Sequence, residues 1–364
     1  MLTPRQPEND FHFLSELVLT DAASSAPTNQ IAETLVDHNP GRFEALVELA
    51  AKNHVIIRAF SQLSQLLKMN GSAHLRDGVS LAVEEENSRI RHALSFLNRI
   101  CATFEENGCT VTVIKSLDHW PDIGSDLDLY TDAEPARVVD VMVTNFGAMV
   151  DQRSWGDRLA KKWNFIVPGL PELVEVHIGR LGQTGEQTAV TESLSRRCRV
   201  INIGHHWFRV LAPEDRIIIS TLQRMYRHFY IRLCDVIDNA SLLASESVDF
   251  TYLHSLGSAS GIWEGIATYL TVISGYVESF RGHGIALPAL VTGSAKFGVE
   301  KVHYRRDFLR VPILPHSLNL YASELKTLLM RGQVRNSLRL SLLPGLATAA
   351  ALELKITGSD KGIW

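Results

Sequence analysis

Apolar residues recur at three- and four-residue spacing through Phe43, Leu46, Leu49 and Ala50, and again through Leu94, Leu97, Ile100 and Phe104. That is the period of a helix with one buried face. Residues 29–107 therefore read as helical, broken at Asn70-Gly71-Ser72 and closed by a glycine stop at Asn107-Gly108. The period then changes. Cys109–Ile114, rich in β-branched residues, and Leu127–Thr131 read as strands, with Pro121 and Gly124 in the loop between them. Val138, Val141, Met142 and Phe146 restore a helical stripe over Glu134–Phe146. Trp163–Val167 and Leu173–Ile178 alternate as strands joined through Pro168-Gly169-Leu170-Pro171, and Arg199–Ile203 and Trp207–Leu211 read as a further pair. Pro213-Glu214-Asp215 places a proline and two acids at a helix start, and the chain reads as helical from there to its end. The expected class is α+β: a small mixed-sheet core at 108–212 between helical regions at 1–107 and 213–364.

Composition narrows this picture only slightly. With 364 residues, 45% hydrophobic and 21% charged, the chain is an ordinary globular one, long enough for two or three packed units. A formal charge of −4 carries no strong nucleic-acid signature and leaves room only for a local basic patch. Cys101, Cys109, Cys198 and Cys234 are scattered without a CxxC pair, which fits a reducing compartment better than a disulfide framework or a zinc site. The opening MLTPRQPENDFHF lacks the basic and apolar regions of a secretory leader. The apolar stretches Ile262–Tyr276 and Leu338–Leu354 are interrupted by Gly, Ser, Pro or charges and fall short of a membrane span. A cytoplasmic protein is expected.

The chemistry concentrates in Val113–Tyr130. In Asp126-Leu127-Asp128-Leu129 a strand sends alternate side chains to opposite faces, so both leucines enter a core while both carboxylates project together. Two acids so placed repel each other unless a cation lies between them. Magnesium suits that role, because it takes carboxylate oxygens and accepts substrate phosphates as further ligands. Gly124 and Ser125 let the loop bring backbone amides close to a phosphate. In Leu173-Val174-Glu175-Val176-His177-Ile178, Glu175 and His177 share one face. If this strand lies beside the Asp126–Asp128 strand, three carboxylates converge into a site able to hold two ions about 3.5–4 Å apart.

These residues resemble the nucleotidyltransferase superfamily that includes DNA polymerase beta and the aminoglycoside nucleotidyltransferases. Its signature is a hydrophobic residue, a Gly-Gly or Gly-Ser pair, a short spacer, then Asp-h-Asp-h. Ile114-Lys115-Ser116, nine intervening residues and Asp126-Leu127-Asp128-Leu129 fit that frame. The likeness is greatest to a bacterial subfamily of uncharacterised nucleotidyltransferases with Leu-Lys-Gly in place of the glycine pair and a later hydrophobic-Asp-hydrophobic-His strand, to which Val174-Glu175-Val176-His177 is similar. Pro213-Glu214-Asp215, His228, Arg232-Leu233 and Asp235 follow the order of that subfamily's helical tail, with His228, Arg232 and Asp235 spaced for one helix face. There are departures: Ser116 stands for glycine, Glu175 for aspartate, and Asp122 where an arginine is usual.

The resemblance implies transfer of a nucleoside monophosphate from a nucleoside triphosphate to an unidentified acceptor, with magnesium or manganese held by Asp126, Asp128 and Glu175. Glu175 would also help take the acceptor's proton. Lys115, Ser116, Gly124, Ser125, His177, Arg158, Lys161, His228 and Arg232 are the expected nucleotide contacts; Arg153 and Lys162 lie among the same basic residues. Two other readings stay open: a nucleotide-binding module without turnover, and a toxin-type transferase acting on transfer RNA or protein. Gly293–Gly298 lacks P-loop spacing and reads as a plain loop.

Overall fold

The computed structural model describes residues 6–20, 40–70, 73–194, 196–245, 248–345 and 349. The helical reading of residues 29–39, the break at Gly71-Ser72 and most of the apolar run beyond 345 lie outside the described residues.

Among the described residues, four helices precede the sheet: Gln6–Leu19, Pro40–Lys52, Ile56–Asn70 and the 34-residue Ala73–Glu106. The last buries Ile90, Ala93, Leu94, Leu97, Ile100, Cys101 and Phe104, which is the stripe its sequence period requires. It ends where Gly108 takes a left-handed φ of 72° and the Cys109 amide reaches back to the Phe104 carbonyl.

Seven strands form one mixed sheet in the order β3-β4-β5-β2-β1-β7-β6. They are β1 (Val111–Val113), β2 (Asp126–Thr131), β3 (Met149–Val150), β4 (Lys162–Ile166), β5 (Leu173–Ile178), β6 (Arg199–Ile203) and β7 (His206–Val210). Two pairings are parallel, β2 with β5 and β1 with β7; the rest are antiparallel. The fold is thus α+β, with the long helix and Pro135–Phe146 packed on one face of the sheet. There Leu127, Leu129, Val174 and Val176 join Leu94, Leu97, Ile100, Val138 and Met142 in one apolar core.

The other sheet face meets a second core, in which Phe13, Phe60 and Leu63 from before the sheet pack with Ile217, Leu222, Ile266 and Tyr269 from after it. The helical stretches on either side of 108–212 therefore share one interior.

The expectation of helix from Pro213 to the end requires correction. Helix Pro213–Thr221 widens into a π-helical segment, Leu222–His228, and Phe229 then turns through a left-handed φ of 54°. β8 (Tyr230–Ile231), β9 (His303–Arg305) and β10 (Phe308–Arg310) follow as a separate three-stranded sheet in the order β8-β10-β9. Each strand is only two or three residues long, too short for alternation to register against the helical stripes around it. Among the described residues, no helix is long and apolar enough to cross a membrane.

Candidate active site

Strand parity assembles the acids. In the parallel pair, Asp128 is the register partner of Glu175, and Leu127 that of Val174. Leu127 and Val174 are fully buried beneath the sheet, so Asp126, Asp128, Glu175 and His177 all stand on the opposite face. β4 adds Lys162, register partner of His177, to the same face.

The loop from β1 to β2 is pinned at each step. Asp118 pairs with Arg216 at 2.8 Å and His119 with Asp238. Asp122 accepts the Ile57 amide at 2.7 Å and the Arg58 amide at 3.3 Å, and pairs with the Arg58 side chain at 2.9 Å. It thereby satisfies the first amides of helix Ile56–Asn70. Arg89 binds the Ile123 carbonyl and, at 2.6 Å, Glu172 at the head of β5. Ser116 closes the loop: its hydroxyl donates to the Asp126 carbonyl at 3.0 Å and accepts the Asp128 amide at 2.7 Å. Ser116 is 1% exposed, so the hydroxyl that stands for the expected glycine acts as a staple holding the two aspartates in place.

A polar cleft opens over the acids. Lys115, Ser116, Gly124, Ser125, Asp126, Asp128 and Glu175 form its floor. Arg224, Arg227, His228, Tyr230 and Arg232, with His54 and His119, line the rest of it. His228 and Arg232 thus reach the site, but not from one helix face: the turn at Phe229 separates them, and Asp235 instead accepts the Arg232 amide and pairs with Arg224, each at 2.7 Å. His177 lies just behind the floor, its Nε2 3.9 Å from both Asp128 Oδ1 and Glu175 Oε2.

Arg158 and Lys161 are not among the residues lining the cleft. Arg158 lies over the Trp155 ring, and Lys161 takes a left-handed φ of 52° at the end of helix Trp155–Ala160. Strand parity begins at the next residue, which is why Lys162 rather than Lys161 turns toward the acids. Arg153 stacks over Trp163 at 4.0 Å.

Each carboxylate has a distinct electrostatic setting. Asp128 is held by the Lys115 ammonium. Glu175 Oε1 accepts from Lys162 at 3.0 Å, and Lys162 also pairs with Asp157 at 3.1 Å. Burial alone would raise the Glu175 pKa, but Lys115, Lys162 and His177 outweigh it and hold the group below the usual carboxylate range. No lysine pairs directly with Asp126 among the described residues: burial, then repulsion from Glu175 and Asp128, outweighs the pull of Lys115 and Lys162 and pushes its pKa up to about 6. Among the described residues its carboxylate receives only a long 3.5 Å bond from Ser125. Burial lowers the pKa of His177, and burial with Arg227, Arg224 and Arg232 drives that of His228 well below the ordinary histidine value.

Compared with protein-family models, with curated proteins and with solved structures, the chain matches none. The cleft's donor set is three carboxylates with a histidine nitrogen close by; Asp128, Glu175 and His177 can each bring one donor within 4.8 Å of the others. Both ring nitrogens of His177 are buried without a hydrogen-bond partner among the described residues. Hard oxygen donors and an acid short of a counter-charge fit a divalent cation such as magnesium.

Sequence reasoning missed His54, His119, Gln223, Arg224, Arg227 and Tyr230, all on the cleft wall. A signal was present in the basic and aromatic density of Gln223–Arg232. The chain order alone does not place that segment across from the acids.

Proposed function

We propose that this cleft transfers a nucleotidyl group from a nucleoside triphosphate to an acceptor, on a nucleotidyltransferase-type core. The observation that carries the reading is the register pairing of Asp128 with Glu175, with Asp126 on the same face, beneath a wall of arginines. Acids facing cations across a cleft fit a polyphosphate accompanied by its metal ion.

In this reading Asp126, Asp128 and Glu175 hold magnesium, which supplies charge stabilisation to the phosphates. Lys115, Arg224, Arg227 and Arg232 bind and orient the phosphate oxygens. The arginine expected where Asp122 stands is not needed there, since the Leu222–Arg232 segment brings three arginines to the cleft from the other side. Glu175, held ionised by Lys115 and Lys162, is a weak base and serves as a ligand rather than as the acceptor of a proton. Lys162 and Ser116 position the acids without touching substrate.

A second reading, a nucleotide-binding module without turnover, is favoured by one observation: Lys115 and Lys162 already sit on Asp128 and Glu175. Pyrophosphate release separates the two. Each triphosphate is supplied with magnesium and pooled small-molecule, RNA and protein acceptors. Transfer predicts release with at least one pool; nucleotide binding without release in every pool supports the second reading.

A further inference from the structure

The small sheet β8-β10-β9 has two unlike faces. Ile231, Leu309 and Tyr304 are register partners on one of them and pack into the helical core, Tyr304 against Phe11 at 4.7 Å. Alternation puts Tyr230, Phe308, Arg310, Arg305 and His303 together on the other. There Tyr230 and Phe308 stack at 4.4 Å with ring planes 17° apart, and the Arg310 guanidinium lies 5.1 Å from the Tyr230 ring centre. Tyr230 and Arg232 also line the cleft, so this face continues the cleft wall outward.

The charge follows the same path. Residues 301–310 hold four Lys and Arg against one acid in a chain whose formal charge is −4. That acid, Asp307, is taken up by Lys52 at 3.0 Å. Arg306 and Asp307, at left-handed φ of 50° and 69°, turn the β9–β10 hairpin and leave Arg305 and Arg306 exposed at its tip. Asn53 donates to the Asp307 carbonyl at 3.0 Å and fastens the tip to the helical layer.

We propose that this face is a binding platform for a single-stranded polynucleotide whose end enters the cleft as acceptor. The proposal names an acceptor class for the transfer reaction and rests on that reading. Stacked aromatic rings interleaved with arginines accept bases of any sequence, while the cations follow the phosphates. A mononucleotide seated on the acids has nothing to offer the hairpin tip; a chain of phosphates does. The narrow sheet suits one strand rather than a duplex.

The test is fluorescence anisotropy with labelled 12-nucleotide single-stranded RNA, single-stranded DNA and an RNA duplex, over a salt series, using the full chain with magnesium. Polyaspartate serves as a competing polyanion, and calorimetric titration of triphosphate runs in parallel. We expect single strands to bind better than the duplex and better than polyaspartate competes, with affinity falling as salt rises. The RNA and DNA arms decide which strand is preferred. Arg305→Ala with Arg306→Ala is expected to weaken strand binding about tenfold and flatten the salt slope. Phe308→Leu should weaken binding with the slope unchanged, and Phe308→Tyr should restore it. Triphosphate binding should stay as in wild type throughout. The platform is overturned if wild type prefers the duplex, if it binds no strand, or if the arginine pair can be removed without effect. Absence of triphosphate binding in wild type counts against the cleft assignment instead, and leaves the strand measurements to decide the platform.

Discussion

Asp128 and Glu175 are register partners on adjacent parallel strands, yet each leans on a different lysine: Lys115 for Asp128, Lys162 for Glu175. The two lysines pair with two of the three acids on this face; Asp126 pairs directly with neither and lies outside the Asp128, Glu175 and His177 group whose ligand atoms come within 4.8 Å of one another.

Asp126→Asn should abolish magnesium-supported triphosphate binding without lowering the melting temperature in metal-free buffer. Its carboxylate, with a pKa near 6, is ionised at pH 7 against burial and two neighbouring acids. Asp128→Asn should also abolish binding, but with loss of stability, because it strands the Lys115 ammonium. Calorimetry and thermal melts read both effects. Unchanged magnesium-dependent binding in either variant would remove that residue from the site.

Glu175→Gln should leave triphosphate binding within about tenfold of wild type while lowering pyrophosphate release by about a hundredfold or more, since Asp126 and Asp128 remain to share an ion with the phosphates. Release measured under single-turnover conditions checks this. Equal rates in variant and wild type would refute the place given to Glu175.

Lys162→Met leaves Glu175 and Asp157 as buried carboxylates without their shared cation. Removing one partner of a buried ion pair costs about 3–5 kcal/mol. The variant should melt lower in EDTA and regain more on adding magnesium than wild type does, as the ion takes over the charge on Glu175. Thermal melts with and without magnesium decide; identical melting of variant and wild type in EDTA contradicts the structural part assigned to Lys162.

Asp215, away from the cleft, is raised to a pKa of about 6 by burial, partly offset by Arg197 and Ser193, and its Oδ2 is buried without a hydrogen bond among the described residues. A carboxyl that holds its proton more tightly folded than unfolded destabilises the fold as pH rises through the folded pKa; the penalty is absent below the unfolded value near 4. Asp215→Asn should therefore stabilise the protein by about 1–3 kcal/mol at pH 8, with the gain disappearing near pH 4. Denaturant titrations across that range test the sign; a variant less stable than wild type at pH 8 contradicts it.

Local pattern alone determined much of this protein. Two-residue alternation in Asp126–Leu129 and Leu173–Ile178 separated acids from leucines and valines, because strand geometry leaves each side chain only two faces. The helical stripe through Leu94–Phe104 and the stop at Gly108 were legible for the same reason: each is set by residues within a few positions. Which strand lies beside which is a different matter. The parallel pairing that brings Asp128 to Glu175 spans 47 positions of chain and is decided by how the sheet buries its apolar face against Ala73–Glu106 and Pro135–Phe146. The same holds for the cleft wall. His228 and Arg232 have helical spacing, but packing of the second core turns the chain at Phe229 and inserts a two-residue strand, so both reach the cleft by a route their spacing does not describe. Asp122 stood where an arginine was expected; only the folded chain revealed that it holds the amides of Ile57 and Arg58, while the cations of the site arrive from residues 224–232. Hydrophobic period is local physics and is written in the sequence; the meeting of distant charges follows from the packing of whole elements.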